Sequence, residues 1–84
     1  MRDAALRTMC RDIARYIGEQ VSPGLGAWPE AWEIVREASD AFDETARRWV
    51  EHGHAGGYQE AEQAGVALVE AWQRADAAYR KRAV

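Results

Sequence analysis

Cys10, the pair His52 and His54 beside Glu51, and a row of carboxylates between residues 30 and 51 are the side chains of this 84-residue chain whose chemistry could extend beyond packing. A lone cysteine makes no intramolecular disulfide and no zinc site by itself, which points to a reducing compartment. Its place in an apolar pattern predicts an inward-facing, inert thiol. His52 and His54 lack the i, i+4 spacing of a helical ligand pair and have no third strong ligand nearby, so they read as loop histidines near a helix cap rather than a metal centre. Acid–base catalysis needs carboxylates or imidazoles with shifted pKa values in a pocket, whereas these acids recur at helical spacing on an outward face where water keeps them ordinary. The Glu-x-x-His pattern of a di-metal bundle is missing. Ser22-Pro23-Gly24-Leu25-Gly26 is glycine-rich but lacks the pattern of a phosphate-cradling loop. The expectation is a non-enzymatic protein with no catalytic residue, no cofactor and no metal.

The element that must carry the carboxylates runs from Trp28 to His52. At 100° per residue Trp28, Trp32, Val35, Ala38, Phe42, Ala46 and Trp49 fall on one side, and Glu30, Glu33, Glu37, Asp40, Glu44 and Glu51 on the other. This is one long amphipathic helix, with Pro29 and Glu30 suited to its first turn and Gly53 to its stop. Upstream, Leu6, Met9, Cys10, Ile13, Tyr16, Ile17 and Val21 form the apolar face of a helix that starts near Asp3 as N-cap, while Arg7, Arg11 and Arg15 line its opposite side. The Ser22–Gly26 stretch is a turn, with Leu25 tucked under one end of the bundle. Ala55-Gly56-Gly57 reads as a short connection. A third helix follows from about Tyr58, with Tyr58, Ala61, Gly65, Leu68, Val69, Trp72 and Tyr79 on one stripe and Ala64, Ala67, Ala71, Ala75 and Ala78 widening it. An arc that wide suits a helix that touches two neighbours, and alternatively a subunit interface.

These elements predict an all-α fold: a single domain over residues 1–84, built as an antiparallel three-helix bundle with helices at about 3–20, 29–52 and 58–81, the two long ones forming a hairpin. No segment alternates like a strand. The expected core includes Leu6, Ile13, Ile17, Trp32, Val35, Phe42, Trp49, Leu68 and Trp72. No long apolar run suggests a membrane span, and the charged N-terminus does not read as a signal peptide, so a cytoplasmic protein is expected.

Charge narrows the class of partner. The net value is −3, but residues 19–62 hold ten acids against three bases while both ends are basic. An acidic middle disfavours direct nucleic-acid binding and favours a protein partner with a basic surface. Like charges at Glu33-Glu37, Glu30-Glu33, Glu37-Asp40 and Asp40-Asp43 repel at helical contact spacing, and the fold alone has no need of that repulsion. Four tryptophans and an alanine-rich second face on so small a domain also predict a homodimer or higher oligomer, with Ala64, Ala67, Ala71, Ala75 and Ala78 at the interface.

Arg47-Arg48-Trp49-Val50 together with Ala67-Leu68-Val69 resembles the helical hairpin of small phage proteins that sequester cyclic nucleotide signals, over less than a third of the chain, and no binding residue is carried over. In size, helical character and acidic surface the chain is similar in type to phage-encoded inhibitors of host defence complexes. Two functions follow as expectations. The first is a small helical interaction module that binds and modulates another protein, using Glu30, Glu33, Glu37, Asp40, Glu44 and Glu51. The second is an acidic nucleic-acid mimic, an anti-CRISPR-like decoy that occupies a nucleic-acid site. A nucleotide-binding or enzymatic helical protein comes third.

Overall fold

Three runs of strong helix formers separated by one Pro/Gly break and one Gly/His break leave the chain few choices. The computed structural model, which describes residues 2–52 and 55–83, contains α1 (Arg2–Gln20), a 3-10 turn (Leu25–Ala27), α2 (Pro29–His52) and α3 (Ala55–Ala83). There is no strand among the described residues. Consecutive helices run antiparallel, so α1 lies parallel to α3, and α2 and α3 form a hairpin along most of their length. The body measures 46 × 21 × 17 Å, a rod little thicker than two helices.

The first connection follows its chemistry closely. Gly24 takes φ +87°, a left-handed conformation that disfavours any side chain, and a Cβ there would stand 3.1 Å from the Tyr79 hydroxyl. The turn closes through Leu25 N–H donating to the Ser22 carbonyl at 3.2 Å and Ala27 N–H to the Gly24 carbonyl at 3.0 Å. Leu25 is buried beneath the bundle end, where the sequence places it. Pro29 opens α2, where its missing N–H has no consequence. At the other end α3 begins at Ala55, earlier than the expected Tyr58, and takes Gly56 and Gly57 into the helix. Glycine disfavours a helix by only about 1 kcal/mol, which helical continuity can override. The side chain of His52, and Gly53 and His54 altogether, lie outside the described residues, and with them the expected helix stop and the histidine pair. Asp3, expected as an N-cap, falls within the first turn of α1.

The core runs along the α2–α3 seam. Ala31, Val35, Phe42, Leu68, Ala71, Trp72 and Ala75 form one buried cluster with Leu25, and Leu6, Trp49 and Ala61 a second at the hairpin end. α1 covers one side of the seam with a narrow stripe, Leu6 buried and Met9, Ile13 and Ile17 half-buried. Ala61, Ala71 and Ala75 have no exposed surface, because small side chains let α2 approach α3 closely. Gly65 does the same toward α1: a Cβ there would meet Ile13 Cδ1 at 3.0 Å and Phe42 Cε2 at 3.4 Å.

Two expected core residues lie elsewhere. Trp32 is 49% exposed. Its indole N–H donates to the Gly26 carbonyl at 2.8 Å and its ring meets Trp72 edge-on at 5.1 Å, so it bridges seam and turn where an indole satisfies both its apolar face and its donor. Cys10 is exposed at the margin of α1, because the stripe that covers the hairpin is too narrow to include it. Partial desolvation first, and the Asp43 carboxylate second, push its thiol above the ordinary value, which disfavours the nucleophilic thiolate.

Candidate partner-binding surface

α2 places Glu30, Glu33, Glu37, Asp40, Glu44 and Glu51 in solvent, on the side opposite Val35, Phe42 and Trp49. The six do not form one electrostatic unit. Arg47 grips Glu44 at 2.7 Å and Glu51 at 3.2 Å, and Arg48 lies 3.8 Å from Glu44 and 3.8 Å from Glu60 on α3. Hydrogen bonding to Arg47, then the charge of Arg47 and of Arg48, hold the Glu44 carboxyl below its usual range. The hairpin end of the row is therefore tied up in ion pairs. Glu30, Glu33, Glu37 and Asp40 make no ion pair among the described residues, although Arg36 sits on the same helix. The acids without an ion pair among the described residues are four carboxylates over about 15 Å of helix, with Arg36 between them and Arg74 lining the same cavity as Glu37.

The alanine sector divides in a similar way. Ala71 and Ala75 are wholly buried against α2 and have no surface left for a second copy, a correction to their expected place at a subunit interface. Ala64 and Ala78 are half-buried, and Ala67 is exposed. Ala67 lines a shallow 260 Å³ cavity with Ile34, Ala38 and Ala41, flanked by Glu37, Glu70 and Arg74, on the side of the hairpin away from α1.

One polar residue escapes a reading by composition. Asp76 is buried on α3, where its Oδ1 accepts the Ser22 backbone N–H at 2.8 Å and its Oδ2 pairs with Arg80 Nε at 3.0 Å. Burial pushes its carboxyl up, but the Ser22 hydrogen bonds and the Arg80 charge outweigh it and hold the group below the usual carboxylate value. The signal was present: Asp76 falls inside the arc of Trp72, Val69 and Tyr79, where a carboxylate needs partners. Its role is to pin the α1–α2 turn to α3. Beside it Trp28 packs on Tyr79 at 5.6 Å, with the Arg82 guanidinium 5.5 Å above the indole.

Among the described residues no three metal-ligating side chains converge, and no helix is long and apolar enough to cross a membrane. Comparison with protein-family models, curated proteins and solved structures finds no match to this chain.

Proposed function

We propose that this protein is a small non-enzymatic interaction module whose acidic α2 face binds a basic surface on another protein and alters that protein's activity by occupying it. The observation that carries this reading is the row Glu30, Glu33, Glu37 and Asp40, exposed on one continuous helix and without ion pairs among the described residues. Like charges at i, i+3 and i, i+4 disfavour the free helix by a few tenths of a kcal/mol per pair, and a basic partner relieves them.

The nucleic-acid mimic is the second reading, and charge density sets it behind the first. Four carboxylates over about 15 Å give one charge per ~4 Å, against one per ~1.7 Å of duplex axis. A decoy of this density imitates a duplex poorly, whereas a protein surface with three or four bases matches it.

The test is the triple change Glu33→Gln, Glu37→Gln, Asp40→Asn, assayed for binding to the partner recovered with the tagged protein. The variant is expected to stay folded, bind about tenfold or more weakly and show a flatter salt dependence. Unchanged affinity and salt response would reduce this face to a solvated surface. Competition by duplex DNA for the same partner site would favour the decoy.

A further inference from the structure

We infer that the groove between α1 and α3 receives an amphipathic helix with basic flanks, contributed by a partner protein. The inference rests on the reading of the chain as a partner-binding module, but it assigns the contact to a different surface from the α2 face. Two adjoining cavities of 380 and 370 Å³ share Met9, Ile13 and Glu62 and together form an open trough along α1 and α3. Its floor is apolar: Met9, Ile13, Val69 and the bare backbone of Gly65, with Val66 54% exposed on the α3 wall. The trough exists because α1 meets α3 through a narrow stripe, which leaves the half-buried Met9 and Ile13 uncovered on the side that faces Val66 and Val69. From Glu62 to Gln73 it runs about 16 Å, three helical turns.

Both the shape and the charge of the rim select the occupant. The walls are two helices whose backbone groups are already bonded along their length, so an extended peptide would find no edge to pair with, while a helix brings its own hydrogen bonds and needs only an apolar ridge at i, i+3 or i+4, and i+7. Asp12 stands on the α1 side and Glu62 and Glu70 on the α3 side, with no lysine or arginine lining either cavity and no ion pair to these acids among the described residues. Carboxylates on both rims complement bases flanking an apolar ridge, and they repel an anionic lipid surface. A second copy of this chain fits poorly. Its other exposed large apolar residues among those described, Trp32 and Val50, stand about 27 Å apart on α2, each followed directly by a glutamate. Self-docking would press carboxylate against carboxylate.

The test is a residue-resolved NMR titration of the full chain with a synthetic three-turn peptide carrying leucines on one face and lysines on its flanks, against the same peptide with glutamates for lysines. The expected result is amide shifts at Met9, Ile13, Gly65 and Val69 with the lysine peptide only. Val66→Ser, at an exposed position that leaves the fold intact, is expected to weaken binding about tenfold. Glu62→Gln with Glu70→Gln is expected to flatten the salt dependence. Shifts confined to Glu30, Glu33, Glu37 and Asp40 would overturn the groove while leaving the acidic-face reading in place. Absence of saturable binding, or equal binding of the glutamate peptide, would overturn the groove as well.

Discussion

Asp76 carries a charge at a position whose neighbours Trp72 and Tyr79 turn inward, and its partners decide the outcome. Asp76→Ala leaves the Ser22 N–H without its acceptor and is expected to destabilise by about 1–3 kcal/mol in urea denaturation. The pH dependence has a definite sign. The folded carboxyl lies below the unfolded value of about 3.9, so its stabilisation is complete above that pH and is lost as pH falls through the lower folded value. Asp76→Asn is therefore expected to flatten the acid limb of a thermal-stability profile. Trp49 and Trp32 make a second comparison. Trp49 is 3% exposed in the hairpin-end cluster, and Trp49→Ala is expected to cost about 3–5 kcal/mol, most of the stability of so small a domain. Trp32→Ala, at the half-exposed bridge to Gly26, is expected to cost about 1–2 kcal/mol by the same denaturation measurement, losing edge packing and one hydrogen bond. Near-native unfolding of Trp49→Ala would place its ring at the surface.

The glycines separate helix propensity from packing. Gly18 is exposed in α1 with open space where a Cβ would stand, so Gly18→Ala is expected to stabilise by about 0.5–1 kcal/mol. Gly65 has the same propensity to gain, but its Cβ meets Ile13 Cδ1 at 3.0 Å. That contact is the flexible end of a half-buried side chain beside an open groove, so Gly65→Ala is expected to be near neutral. Gly65→Leu also confronts Phe42 and Met9 and is expected to cost about 1–3 kcal/mol through loosened α1 packing, read as lost amide-exchange protection across residues 5–17. Element identity was legible in the sequence, since the 3.6-residue periodicity of the Val35, Phe42 and Trp49 face admits no other backbone. The start of α3 was not, because Gly56 and Gly57 suit a loop locally and are drawn into the helix by its continuation.

Self-association belongs to the molecule as a whole. We propose that a second copy meets the part of the α3 alanine sector that the fold leaves open, at Ala67 with the half-buried Ala64 and Ala78. Light scattering at micromolar concentration is expected to give a dimer mass, and Ala67→Glu, at an exposed site, to give a folded monomer. Ala71→Glu is expected to unfold the chain, because Ala71 has no exposed surface. A monomer mass for the unaltered chain would leave that face to solvent. The sequence by itself determined the helical class, the hairpin of two long helices, the Leu25 plug and the outward acidic face, since each follows from periodicity, turn chemistry or burial of large apolar side chains. Only the tertiary structure decided which acids form ion pairs, which alanines face α2, why Trp32 and Cys10 stand at the margin, and that a groove opens between α1 and α3. A helical repeat fixes the face a residue occupies, but the angle and distance at which a second helix covers that face depend on side chains far away in the chain.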